Sequence, residues 1–341
     1  MAFPPGCCIK LLERHEGPLP MRKTKYAAAF AGVTMLAGSL FAVPAGATAA
    51  GTNSTTAGAV VPSRCGMSIG AVTAAGDMGG AGVRATKPPT RGPGWGSQFA
   101  TPPHLFPAGS ARLSTNWEHS VGVGADFGDS GLVVMGSTLY GAAFSFDGAE
   151  GSTSTVIIGG GWGNFRAVER SLWTTPAASR PAHLYGLRND GVLFRWEART
   201  RNRGSESFYQ PLGSYPGFSS VKGMTLISET ATYDTFLVNL RGGSLYTIHI
   251  PHTSPMKPVV KQVRSRTWQA FEVLVADRCG AQSTLLTGID KDTRSAHLYA
   301  VGHATGTTTP IVSLGKIPGT FPDPLYFLHD QIEMPEPMNG E

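Results

Sequence analysis

The chain has 341 residues, with 41% hydrophobic and 15% charged positions, 44 Gly, 25 Pro and a formal charge of +5. Five Lys/Arg and two Asp/Glu fall in residues 1–49, so beyond them 23 cations face 21 anions. Without a concentrated basic footprint, nucleic-acid binding is excluded as an expectation; high Gly and Pro with low charge suit an all-β globule long enough to bury a large core.

Residues 1–49 read as a leader. Arg22, Lys23 and Lys25 precede the uncharged run Ala27–Val43, and Ala47-Thr48-Ala49 fits a small-x-small cleavage site. This is the pattern of a secretory signal peptide, with Met21 as a candidate true start. The alternative, a membrane anchor, fits less well because the run is short and rich in small residues. The expected mature product is therefore secreted, has no membrane span and begins with a flexible stretch at 50–59.

A propeller domain is predicted over 60–332, followed by a tail at 333–341. Weak strand signals surround Cys65 and Val83, and Leu105–Val123 is ambiguous. Clear strands then follow in sets of four short runs: Phe165–Trp173, His183–Arg188, Val192–Ala198 and Phe208–Leu212 make one set. The sets from Phe218 to Val263 and from Phe271 to Leu314 repeat it, and Phe321–Leu328 opens another. Gly, Pro, Asn and Ser turns join the runs, and Asn189-Asp190-Gly191 is a strong hairpin signal because these residues tolerate positive φ. Many strands are continuous apolar runs, the pattern of strands buried on both faces.

Two markers set the period. Leu139-Tyr140, Leu193-Phe194, Leu245-Tyr246 and Leu298-Tyr299 are spaced by 54, 52 and 53 residues. Phe165, Phe218, Phe271 and Phe321 are spaced by 53, 53 and 50. A fixed period of about 53 with four strands per repeat predicts a β-propeller. The chain length favours five blades over six, the ring closing by sharing one blade between the two ends. Cys65 and Cys279 lie 214 residues apart at one phase of the repeat, in units that a five-membered ring makes neighbours. A disulfide is the default in an exported protein; two buried thiols are the alternative.

Gly160-Gly161-Trp162-Gly163-Asn164-Phe165, followed by Leu184-Tyr185-Gly186-Leu187 and Leu193-Phe194, resembles the repeat of tachylectin-type lectins. These are five-bladed propellers that bind N-acetylated amino sugars. The other corners diverge: Tyr215-Pro216-Gly217-Phe218, Thr267-Trp268-Gln269-Ala270-Phe271 and Ile317-Pro318-Gly319-Thr320-Phe321.

The resemblance implies glycans, or a cell-surface polysaccharide, as partners at the blade corners. Gly161 would let the backbone approach a sugar and Trp162 would stack on it. Asn164 would bond hydroxyls or an acetamide, Asp190 would accept from a hydroxyl, and Trp268 is a second stacking candidate. Sites of this kind join an apolar wall to a few placed polar groups. The competing reading packs Trp162 between blades. Catalysis, cofactors and metals are not expected, and a protein-binding scaffold is the alternative function. An enzyme using a polar axial channel ranks third, since no carboxylate or His repeats at one phase.

Three short motifs are expected to be inert. Gly128-Asp129-Ser130-Gly131 mimics a protease nucleophile loop, but His104, His119 and Asp126 lie too close to it for the barrel such enzymes need. His249-Ile250-Pro251-His252 offers two His without an evident third ligand. Asp290-Lys291-Asp292 resembles the start of a calcium loop but has Ser295 and Val301 where Gly and Glu are required.

Overall fold

The structure is a computed structural model that describes residues 65–92, 103–121, 127–146, 151–201, 206–331 and 337–341. The expected leader at 1–49 and the start at 50–59 lie outside the described residues. No helix among the described residues is long and apolar enough to cross a membrane.

Three blades follow the predicted sets. Blade 2 contains β9 (Phe165–Ser171), β10 (His183–Arg188), β11 (Leu193–Arg201) and β12 (Glu206–Tyr215). Blade 3 contains β13 (Val221–Glu229), β14 (Tyr233–Leu240), β15 (Leu245–Pro251) and β16 (Val259–Arg264). Blade 4 contains β17 (Val273–Arg278), β18 (Thr284–Asp290), β19 (Ser295–Val301) and β20 (Ile311–Lys316). All are antiparallel.

The remaining two blades merge. Blade 5 takes β21 (Leu325–Gln331) from the far end of the chain and β1 (Gly66–Val72), β2 (Met78–Arg84) and β3 (Thr90–Arg91) from the near end. Blade 1 has β6 (Phe127–Met135), β7 (Thr138–Phe146) and β8 (Gly151–Gly159), with a broken first strand. Its halves, β4 (Ala111–Ser114) and β5 (Trp117–Val121), pair in turn along β6. Between them the chain turns away, and β5 pairs in parallel with β21, Trp117 opposite His329.

The innermost strands neighbour one another in the cyclic order β4, β9, β13, β17, β21 and back to β4. The core accordingly divides into five apolar clusters, one between each pair of adjacent blades. Each blade is thus covered on both faces, which accounts for the nearly unbroken burial along β13, β14 and β18. Leu139, Leu193, Leu245 and Leu298 have 0% exposure. Burying each contributes about 2 kcal/mol.

In blades 1, 3 and 4 a β-bulge falls immediately after this Leu, where the third strand begins to pair with the fourth. Bulges sharpen local twist, so the pair marks a bend of the blade as well as a core position. The corner phenylalanines Phe165, Phe218, Phe271 and Phe321 are all buried. Glycines make room for two of them: a Cβ on Gly186 would sit 2.8 Å from the Phe165 ring, and one on Gly288 2.7 Å from the Phe271 ring.

Cys65 and Cys279 form a disulfide joining the segment before β1 in blade 5 to the turn before β18 in blade 4. The predicted tail needs correction where it is described. Residues 337–341 are part of the propeller: Glu229 N–H donates to Met338 O at 2.9 Å, Gly340 N–H to Ile227 O at 2.9 Å, and Ala304 N–H to Gly340 O at 2.7 Å. Met338 is buried among side chains of blades 2 and 3.

Candidate functional site

The corner tryptophans are walls of the core. Trp162 is 7% exposed, its ring 4.6 Å from Phe165 and 5.3 Å from Trp196 between centroids. It packs between blades 1 and 2 beside Leu132, Leu139 and Leu184. Trp268, 5% exposed, packs between blades 3 and 4 against Phe271 and Tyr299. Neither indole presents a face to a sugar, which corrects the stacking roles expected of them. The triple glycine serves the backbone: Gly161 holds φ +90° and delivers Trp162 N–H to Ser137 O of blade 1 at 2.9 Å.

Asn164 is exposed, and its carbonyl takes the N–H of Asn189. Asp190 is exposed but held by Arg188, with Nη2 at 2.6 Å. That pairing keeps its carboxyl below the usual range.

What repeats at the corners is a cation. Arg112, Arg166 and Lys222 occupy one phase of the inner strands. Each donates to backbone carbonyls one repeat ahead: Arg112 to Trp162 O and Phe165 O, Arg166 to Phe218 O, and Lys222 to Gln269 O. Asn239, fully buried, adds Nδ2 bonds of 2.8 Å to Trp268 O and Phe271 O. Corner carbonyls that leave the strand ladders are satisfied this way, and adjacent blades are clasped.

The same cations line the wider part of an axial cavity of about 150 Å³, together with Glu169, Glu272, Lys291 and Tyr326. Beyond Glu169 it narrows to about 30 Å³, bordered by Asn116, Thr225 and Met338. This space suits water and falls below the roughly 300 Å³ of typical ligand pockets. Burial, reinforced by the neighbouring Glu229 charge, pushes the Glu169 carboxyl up to about 8.

The folded protein therefore keeps a proton that the unfolded chain releases above about 4.5. Stability from this group is full below that point and declines as pH rises towards 8, by up to about 1.4 kcal/mol per pH unit. Glu169→Gln should remove that slope. Urea midpoints at about pH 6 and pH 8.5 are expected to separate in wild type and to converge in the variant.

At the opposite end of the ring from the corners, polar side chains gather between blades 2 and 3. Asp234, fully buried near the start of β14, accepts five donors. Its Oδ1 takes Ser171 Oγ at 2.6 Å and Arg180 Nη2 at 2.6 Å. Its Oδ2 takes Tyr185 Oη at 2.6 Å, His252 Nε2 at 2.9 Å and His183 Nδ1 at 3.1 Å. Burial alone would raise the Asp234 carboxyl, but bonds from His183 and His252 and the Arg180 charge hold it well below the usual range. Burial lowers His183 against the pull of Asp234, and burial raises Tyr185, so both keep neutral forms suited to donating.

Over this hub lies a cleft of about 350 Å³, lined by Arg180, His183, Arg195, Glu197 and His252 with Pro211, Leu212 and Ala231. Arg195 is 1% exposed and donates to Pro251 O at 2.8 Å and Thr253 O at 3.0 Å. Its Nε has no acceptor among the described residues. The cleft therefore sets polar side chains locked by packing, one of them a carboxylate, beside an apolar wall, which is how small-molecule sites are built.

The two predicted His diverge. His249 bonds Glu341 at 2.7 Å, whereas His252 joins His183 and Asp234. Three positions apart along β15 and its end, they fall on opposite faces of an extended chain. The protease-like motif is the interior of β6, with Ser130 paired opposite Glu118 and Ala143. Asp290-Lys291-Asp292 lies in the turn from β18 to β19, where Asp290 Oδ1 accepts Thr293 N–H at 3.0 Å.

Sequence reasoning named His252 but missed Asp234, His183 and Arg195. The available signal was a charged residue set within an apolar strand run, as in Tyr-Asp-Thr-Phe-Leu-Val and Leu-Phe-Arg-Trp.

No family model matches the chain, and no curated protein matches it. The likeness to tachylectin-type lectins rests on the residues quoted for it. Among solved structures, a Hadza microbial sialidase aligns at TM-score 0.37 and 10% identity, over 74% of this chain and 59% of the sialidase. The GH43_1 enzyme from Xanthomonas citri, complexed with xylose, aligns at TM-score 0.33 and 11% identity, over 60% of this chain and 74% of that one. The chain is an all-β propeller whose ring rests on its own strand pairings.

Proposed function

We propose that this chain is a secreted, non-catalytic propeller that binds glycans in the cleft between blades 2 and 3. The observation that carries the reading is the cleft of about 350 Å³ with its fixed polar lining. It is large enough for one or two sugar rings, and the donors and acceptor suit hydroxyls and an acetamide. N-acetylated amino sugars are the ligand class the lectin resemblance implies. Export is supported by the leader pattern and by the disulfide, which persists in oxidising compartments.

Binding is favoured over hydrolysis because glycoside hydrolysis commonly uses two carboxyls flanking the bond. The cleft lining holds one, Glu197, while Asp234 below is saturated by five donors. The scaffold reading draws less support. Among the described residues, the exposed large apolar side chains Ile157, Tyr215, Val259 and Val260 lie on the outermost strands of three different blades.

Retention of the full chain on N-acetylhexosamine resin and a glycan array tests the proposal. Ala231→Trp, an exposed rim position, should block the cleft and weaken binding at least tenfold with an unchanged melting temperature. Trp162→Phe should bind as wild type does. Failure of wild type to bind any glycan, or binding that Ala231→Trp leaves intact, would refute it.

A further inference from the structure

We propose that His119, Asp129 and His329 form a divalent-metal site of the zinc class at the seam where the ring closes. The residues come from β5, β6 and β21, and each is at most 9% exposed. His119 Nδ1 lies 2.9 Å and His329 Nε2 2.6 Å from the same Asp129 oxygen. The three ligand atoms lie within 4.8 Å of one another.

Bonds of about 2.0–2.1 Å in a tetrahedral zinc site set ligand atoms roughly 3.3 Å apart. To admit an ion, the His119 and His329 nitrogens would move away from the Asp129 oxygen by about 0.4 and 0.7 Å. Two imidazoles and a carboxylate are a donor set that zinc takes.

The strand ladders present these donors together. His119 stands directly opposite Asp129 in the β5–β6 pairing. His329 stands opposite Trp117, two residues from His119 and so on the same face of β5. The donors are arranged by backbone pairing, independently of the ion.

The second cluster, His183–Asp234–His252, has the same composition and serves as an internal contrast. Its carboxylate already takes Ser171, Tyr185 and the Arg180 guanidinium at 2.6 Å. An added cation would face that guanidinium in a buried setting, where like charges repel strongly. Metal therefore belongs to the first cluster and not to the second.

The test uses the full-length protein stripped with chelator, then titrated with zinc alone or cobalt(II) alone. The expected result is one equivalent bound, a raised melting temperature, and visible cobalt bands of the tetrahedral type. Asp129→Asn and His329→Gln should each weaken binding by about 100-fold or more, and His183→Gln should leave it unchanged. If either ligand variant fails to fold, the wild-type stoichiometry and cobalt spectrum still decide. Absence of saturable binding by wild type, or binding lost in His183→Gln and kept in His329→Gln, would overturn the proposal.

Discussion

Asp234→Ala is expected to lower the free energy of unfolding by about 3–5 kcal/mol, the usual cost of removing one partner from a buried charge network. The substitution strips the acceptor from Ser171, Arg180, His183, Tyr185 and His252 at once. Arg180 keeps its charge in a setting that is only 10% exposed. Asp234→Asn should fall between, since its amide keeps one acceptor oxygen and sets a donor against other donors.

The effect has a definite pH dependence. A depressed folded-state carboxyl contributes its stability above the ordinary carboxylate pKa and loses it as pH falls through the folded value. Wild type and Asp234→Ala should therefore differ most near neutrality and converge in strong acid. Urea denaturation at matched slope, from pH 7 downwards, reads both points. A loss below about 1 kcal/mol at neutrality would mean that the hub is not a keystone of the blade 2–3 contact.

Removing the Cys65–Cys279 bridge is expected to cost about 2–4 kcal/mol. The bridge closes a span of 214 residues, so its loss frees an unfolded chain that had been confined to a large loop. Cys279 is 2% exposed and packs in the cluster between blades 4 and 5. The paired variant Cys65→Ala/Cys279→Ala is the clean comparison, because it leaves no free thiol. Its melting temperature should fall by roughly 5–15 °C, and a reductant should shift wild type towards it without affecting the variant. A wild-type midpoint unmoved by reductant would contradict the assignment.

The architecture was legible because the same demand recurs in each blade. Leu139, Leu193, Leu245 and Leu298 each fill an inter-blade contact and three of them precede a bulge, so size and spacing are both constrained. The ring-closing blade was legible from its leftover strand, and Cys65 with Cys279 from their shared phase.

Sites were far less legible. Trp162 beside three glycines matches a lectin corner, yet sequence spacing does not say which way an indole points, and the neighbouring Trp196 and Phe165 draw it inward. The Asp234 hub draws on Ser171, Arg180, His183, Tyr185 and His252, spread over two blades and occurring once. Periodicity amplifies what every blade needs and hides what only one interface has. A solitary Asp at the head of an apolar strand run was the remaining clue to Asp234.

The blade assembled from both ends of the chain bears on how the molecule is made. β1, β2 and β3 leave the ribosome first, yet the strand that completes their sheet, β21, follows nearly the whole propeller later. Until then, the edge of β1 that will meet β21 stays unpaired, an invitation to mispairing. Such non-local pairing is slow, and partly built forms expose apolar surface.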